Sequence, residues 1–446
     1  MAAPLTEFRT CRKQDDHLTI AHISDLHFHS GNTPAGDHFV SLQTEIAKSK
    51  VDTIIVTGDV VDNPLKEIFD GLWDEKYTVK DLKKLLRPHR SLVRNWVENL
   101  TGTLEEARSF LKQLCEAADV KYPELLCTIP GNHDLRIQGV TELRFFGTVN
   151  LAVDNIEDQP FTKIFGMTSQ DRLVSFSKGT TDSIISVAIV HFNSNGVDPV
   201  LNFATGKVGE DDLNRIRQLE SDASFQKAHK IVLMHHHPMP IPESEGTPGV
   251  KGVFGGDQFL LLKNAGVVMR ELVRSKIDLV LHGHKHYSGF SHVNFNFPLL
   301  YSAGHEAAVA RHQVSVVGAG SAGIYSEGYT FNIVKLYDDG RIYVEEKRRD
   351  RSGGYFPKRQ FWLVSYEQKR IQRYDHCAES LQTELRARAK KLVYSVNIEE
   401  DGDAIERRDF TGLQALDQER DDIPHILRSL TGYLGSDEKP NIEFQS

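Results

Sequence analysis

Cysteine is scarce in this chain, with 4 in 446 residues. Cys11, Cys115, Cys127 and Cys377 fall in no paired or zinc-ribbon spacing, which argues against both a disulfide scaffold and a structural zinc module. Long apolar runs are missing too. No segment reaches the roughly 20 residues that a bilayer-spanning helix needs, and the opening stretch MAAPLTEFRTCRKQDDHL is charged throughout, without the apolar centre of a secretory signal. The expectation is a reduced, cytoplasmic protein with no membrane partner. Nor is there an excess of positive charge: a formal net charge of -9 is the wrong sign for a protein built to coat nucleic acid. The densest basic run, Lys347-Arg348-Arg349 with Arg351, Lys358 and Arg359, reads as a solvated strand end and loop. There is no internal repeat and no low-complexity tract.

What remains is a globular composition, 39% hydrophobic and 26% charged, in a chain too long for one ordinary core. Strand-like apolar runs occur at 17–24, 51–57, 125–129, 184–190, 231–234 and 277–281, most of them followed within a residue or two by Asp, Asn or His. Functional residues just beyond the carboxyl ends of buried strands are the way open α/β sheets place a site, so an α/β (α+β) architecture is expected. Between these runs, residues 63–120 carry Leu82, Leu85, Leu86, Leu92, Val93, Trp96, Val97 and Leu100 at helical spacing, and Thr103-Leu104-Glu105-Glu106 reads as the capping box of a second helix. Residues 329–337 and 341–346 alternate around Asp338-Asp339-Gly340 as a hairpin. A boundary is expected near Ser352-Gly353-Gly354, dividing a domain 1–352 from an accessory module 353–446 that holds a charged helix at 366–391 and a hairpin at 392–410. That module is the expected route to a homo-oligomer or a partner protein, because an apolar stripe on an appended element must be buried somewhere.

Five segments carry the chemistry: Asp25-Leu26-His27, Gly58-Asp59, Gly131-Asn132-His133-Asp134, His236-His237-Pro238 and Gly283-His284-Lys285-His286. Residues two apart on an extended chain point the same way, so Asp25 with His27, and His284 with His286, are expected to aim into one cavity. Imidazole and carboxylate ligands suit Mn, Fe, Zn or Co, and Asn132 adds a neutral amide oxygen. Asp59, with two carboxylate oxygens, is the candidate bridge between two ions: one held by Asp25, His27 and His286, the other by Asn132, His236 and His284. A hydroxide bridging the pair is the expected nucleophile, since a metal lowers the pKa of water from 15.7 to about 7. His133 is free to stabilise the developing charge or to protonate the leaving oxygen; Asp134 either orients His133 or caps a helix after the turn. Candidate substrate contacts are His29, Arg136 and His305, each with an equally ordinary reading as a polar loop residue or a surface ion pair.

The order D-x-H, G-D-x-x-D, G-N-H-D, H-x-P and G-H-x-H, read here from Asp25 through Asp59, Asp62 and Asn132 to His286, resembles that of the calcineurin-like metallophosphoesterase superfamily over roughly 17–347. The resemblance implies a four-layer αββα sandwich with two metals at the ends of the central strands. Among the consecutive His235, His236 and His237, the second is chosen because it holds the H-x-P position. The compact motif set resembles most the cyclic-nucleotide and glycerophosphodiester phosphodiesterase branch. The expected function is therefore a phosphodiesterase acting on a nucleotide-type or small phosphodiester. A DNA or RNA nuclease is the alternative within the same chemistry, disfavoured by the acidic charge. A scaffold with a vestigial site is the alternative of another class, and the complete ligand set argues against it.

Overall fold

The computed structural model describes residues 5–12, 17–29, 32–62, 90–143, 147–155, 160–178, 184–196, 206–239, 262–298, 309–324, 328–337, 341–364, 394–400 and 403–410. In chain order its strands are β1 (Thr6–Arg12), β2 (His17–Ile23), β3 (Thr53–Val56), β4 (Leu126–Thr128), β5 (Arg136–Leu143), β6 (Gly147–Asn155), β7 (Arg172–Lys178), β8 (Ile184–His191) and β9 (His229–Leu233). They continue with β10 (Leu279–His282), β11 (Gly289–Pro298), β12 (Val309–Gly318), β13 (Thr330–Tyr337), β14 (Arg341–Arg349), β15 (Tyr355–Val364), β16 (Tyr394–Glu400) and β17 (Asp403–Phe410). The helices are α1 (Asp37–Ser49), α2 (Arg90–Ala117), α3 (Asn132–Leu135), α4 (Pro160–Phe165), α5 (Glu210–Leu219), α6 (Ala223–Lys227) and α7 (Ala265–Arg274).

Two mixed sheets result, one ordered β1-β7-β8-β9-β10-β12-β11 and the other β15-β14-β13-β2-β3-β4. Side-chain alternation along the strands explains why they stack. In β8, β9 and β10 the residues Val187, Ile189, Ile231, Leu233, Leu279 and Leu281 join one core with Leu18, Ile20, Ile54 and Val56 of the facing sheet. Their neighbours Ala188, Val190, Val232 and Val280 face the other way, into a second core with Leu213 and Ile216 of α5 and Val268 and Leu272 of α7. On the far side of the β2 sheet, Phe39, Leu42 and Ile46 of α1 are fully buried at helical spacing. Helix, sheet, sheet and helix thus stack as a four-layer sandwich.

The strand runs read from sequence lie within a residue or two of β2, β3, β4, β8, β9 and β10. Other expectations are corrected. No second helix begins at Thr103, because α2 is continuous from Arg90 to Ala117. Leu100, Leu104, Ala107, Leu111 and Leu114 carry one buried stripe through that point. A single mid-helix glycine, Gly102, costs only about 1 kcal/mol, too little to end a helix anchored in this way. The boundary expected after residue 352 falls short of β15, which pairs with β14 from Tyr355 to Val364 and extends the same sheet. The hairpin expected at 392–410 is β16 with β17, whereas the charged helix expected at 366–391 lies outside the described residues. Among the described residues no helix is long and apolar enough to cross a membrane.

One buried cation ties the two sheets together at their edge. Arg172 of β7 is 1% exposed, and its Nη1 donates to the carbonyls of Glu124 at 2.7 Å and Leu126 at 2.9 Å beside β4. Its Nη2 reaches the Met167 carbonyl at 3.2 Å. The variant Arg172→Leu leaves these acceptors without a donor and is expected to lower unfolding free energy by about 2–4 kcal/mol in chemical denaturation; an unchanged midpoint and slope would show that the clamp contributes nothing.

Candidate metal centre

The ends of β2, β3, β4, β9 and β10 open onto one side of the sandwich, and each loop that follows carries candidate ligands. These loops are not extended. Asp25, His27, Asp59, His284 and His286 all have positive φ, at 56°, 49°, 48°, 80° and 54°. The expected alternation on an extended segment is therefore corrected: left-handed turns, not strand periodicity, aim these side chains. Such conformations cost non-glycine residues about 1–2 kcal/mol each and persist where neighbours over-determine them. Here the Asp25 N–H donates to the Gly58 carbonyl at 3.0 Å and the His27 N–H to the Asp59 carbonyl at 3.0 Å, while Gly323 N and Ser321 Oγ both donate to the Asp25 carbonyl, at 3.0 and 2.7 Å. At Gly131 the backbones approach so closely that a Cβ would stand 2.1 Å from Asp59 Oδ1, so only glycine fits.

Three groups of candidate ligands form among the described residues; two of them share Asp59, and the third is His27, Asp62 and His133. In the first, Asp25, His27, Asp59 and His286 offer one donor atom each, all within 4.8 Å of one another. His286 Nε2 lies 3.3 Å from Asp25 Oδ1 and 2.9 Å from His27 Nε2. The second gathers Asp59, His235 and His284; His235 Nε2 is 3.2 Å from Asp59 Oδ2, 2.9 Å from Asn132 Oδ1 and 3.1 Å from His284 Nδ1. Donors bound to one ion at about 2.1 Å and at right angles to each other stand about 3 Å apart, so these spacings fit divalent transition-metal ions. Asp59 divides its oxygens differently from expectation. Oδ1 accepts the His133 N–H at 2.9 Å, and Oδ2 alone faces both clusters, 3.2 Å from His235 Nε2 and 3.9 Å from His27 Nε2.

Within the consecutive histidines the structure puts His235, not the expected His236, beside Asp59. The His235 Nδ1 shares a hydrogen bond with the Thr57 carbonyl at 2.8 Å, which makes Nδ1 the donor and leaves Nε2 facing the cluster. The Nδ1 of His236 lies 2.9 Å from Ser194 Oγ, and its ring packs on that of His284 with centroids 4.4 Å apart. Gly206 packs on the His236 ring, where a Cβ would come within 2.3 Å of Cγ. His237 is buried beside His282 and His284. The physical reason is chain direction: β9 ends at Leu233, and the first histidine beyond it is the one that meets the end of β3.

His133 stands at the edge of both clusters, its Nε2 3.9 Å from Asp59 Oδ2. Its orienting partner is Asp62, with Oδ1 2.9 Å from His133 Nδ1, and not Asp134. The Asp134 carboxylate instead accepts the backbone N–H groups of Gly131 at 2.8 Å, Val61 at 3.0 Å and Val60 at 3.2 Å, clamping the turn after β4 to the turn after β3. Burial and the Asp59 charge push Asp134 up to about 7. Burial lowers the His133 imidazole, but the facing Asp59 and Asp62 carboxylates override it and hold His133 up to about 9. Burial likewise works against the Asp59 carboxylate, yet the imidazoles of His235 and His133 keep it well below the usual range. Asp62 was present in the G-D-x-x-D pattern, which is the signal that a fuller reading would have used.

Of the three candidate substrate contacts only His29 is described in full. His29 sits in a short bridge with Asn32. Arg136 opens β5, and its side chain, like the whole of His305, lies outside the described residues.

A family model described as calcineurin-like phosphoesterase matches residues 18–288. Among solved structures the chain is similar to GAP50, the anchor in the inner membrane complex of Plasmodium, at 11% identity with a TM-score of 0.39, covering 80% of this chain and 91% of that one. It is also similar to PhoD, at 10% identity and the same TM-score of 0.39, covering 84% of this chain and 78% of that one. None of the curated proteins searched matches the chain.

The two neighbouring histidines separate cleanly in a metal analysis. His235→Ala is expected to lose at least one bound ion per chain, while His236→Ala retains wild-type metal content; the reverse pattern would restore the assignment made from the H-x-P position.

Proposed function

The chain belongs to the calcineurin-like phosphoesterase family, and from that premise we propose that it is a dinuclear metal-dependent phosphodiesterase acting on a small or nucleotide-type diester. The observation that carries the proposal is the pair of ligand clusters joined at Asp59, with the His133–Asp62 pair beside them. Asp25, His27 and His286 would hold one divalent ion, and His235, His284 and Asn132 the other, with Asp59 common to both. Mn, Fe, Zn and Co all suit this mixture of imidazole, carboxylate and amide donors. When bound, such ions supply Lewis acidity and bring the pKa of water from 15.7 to about 7, which makes a hydroxide nucleophile available at neutral pH.

The chain's own residues do the rest. Asp59 would be the ligand common to the two sites. His133, raised by the Asp59 and Asp62 carboxylates that face it, is placed to donate a proton to the departing oxygen, and Asp62 fixes its ring so that Nε2 faces the clusters. Asp134 holds the two turns in register. Charge favours a diester. Two divalent ions set against Asp25, Asp59 and one hydroxide leave about one positive charge, which matches the single negative charge of a diester rather than the double charge of a monoester. The chain's net charge of -9 supports a small substrate over a nucleic-acid polymer.

Parallel assays with bis(4-nitrophenyl) phosphate, 4-nitrophenyl phosphate and single-stranded DNA test the proposal. The expected outcome is a kcat/KM for the diester at least about 10-fold above that for the monoester, abolished by chelator and restored by manganese. A preference for the monoester, or DNA cleavage as the sole activity, would overturn it.

A further inference from the structure

The strand β15 lies beyond the stretch that matches the family model, 18–288, yet one of its side chains reaches the loop that carries His284 and His286. Arg359 is 9% exposed and Glu346, its partner on β14, is 1% exposed. The Arg359 Nε donates to Glu346 Oε2, and its Nη2 donates to the backbone carbonyl of Ser288. The guanidinium also lies over the Tyr287 ring, 6.0 Å from its centroid. The Lys358 ammonium lies 3.3 Å from the other oxygen of Glu346 as an ion pair, without a hydrogen bond to that oxygen.

Ser288 stands two residues after His286, and its side chain continues inward. Its Oγ donates to Asn332 Oδ1 at 3.2 Å, and Asn332 Nδ2 donates to the Gly318 carbonyl at 3.0 Å and reaches His22 Nδ1 at 3.5 Å. His22 Nε2 is 3.1 Å from Thr57 Oγ1, and Thr57 offers its carbonyl to His235 Nδ1 at 2.8 Å. One buried polar chain therefore runs from Glu346 and Arg359 to the loops of both clusters. Desolvated polar groups that are hydrogen-bonded to one another rigidify their surroundings, as the Arg359 fork does for the Glu346 Oε2 and the Ser288 carbonyl.

We propose that Arg359 is a positioning residue for the metal centre: its guanidinium fork fixes the Ser288 carbonyl and thereby the left-handed turns that aim His284 and His286. The proposal rests on reading those two histidines as metal ligands. Its physical basis is the planar fork, which donates to one Glu346 oxygen and to the Ser288 carbonyl at once, something a lysine ammonium on a flexible stem does poorly. A lysine at this position keeps the charge pair with Glu346 but loses the second arm. The residue is set apart from ordinary core ion pairs by where that second arm ends.

Manganese(II) titration of the metal-free full-length protein, in competition with a chelating dye, measures the effect, with thermal unfolding of the same metal-free samples alongside. Arg359→Lys is expected to bind manganese about 10–100-fold more weakly in at least one site, as loss of a group that orients ligands does, with the metal-free unfolding temperature nearly unchanged. Arg359→Met loses both arms and is expected to weaken binding at least as much. Wild-type manganese affinity in Arg359→Lys overturns the positioning role, whether Arg359→Met folds or not. A wild-type protein that binds no divalent ion would instead overturn the ligand reading beneath it.

Discussion

Asp25 and Asp59 are carboxylates with essentially no contact with water, at 0% and 1% exposure, and the rest of the site is arranged around that fact. An ionised carboxylate in such a place is very unfavourable unless cations or several donors face it. Here imidazoles surround both, and the His133 amide, the Gly283 turn and the His284 amide close in on the remaining oxygens. The strain of five left-handed non-glycine residues is concentrated in the same few loops. Such an arrangement is stable when divalent charge occupies the space between the clusters, which links the fold's least favourable groups to its chemistry.

The sandwich explains how so many ligands from distant parts of the chain meet. Parallel neighbours β2, β3 and β4 in one sheet and β8, β9, β10 and β12 in the other all run toward the same opening. Each crossover returns the chain to that edge. The two cores on either side of the β8–β9–β10 sheet leave those strands no freedom to shift register, because a one-residue slip would exchange their inner and outer faces. Asp134 and Arg172 perform the corresponding task for the β3 and β4 side, one joining turns and the other joining sheets.

Much of this was legible in the residues. The buried central strands announced themselves as apolar runs, and the ligands stood just past them. What was not legible has identifiable causes. His235 and His236 are chemically the same, so only the point where β9 ends decides between them. Asp62 was visible as part of a motif, but its role depends on a hydrogen bond to His133 across 71 positions of sequence. Periodicity placed Asp25 and His27 in one cavity, where they meet, but for the wrong reason, because left-handed turns replace the strand geometry on which it relies. The edge strand β1, TEFRTCR, alternates too weakly to be seen, and its place is set by pairing with β7. Gly353-Gly354 looked like a boundary, whereas the tight turn there feeds β15 back into the sheet.

The central claim is that Asp59 is shared by two ions. Anomalous diffraction from crystals grown with manganese, recorded on either side of the manganese absorption edge, addresses it directly. The account predicts two peaks about 3.5–4 Å apart flanking Asp59 Oδ2, with His235 and not His236 next to one of them. A single peak, or a pair in which neither ion touches Asp59, would contradict it.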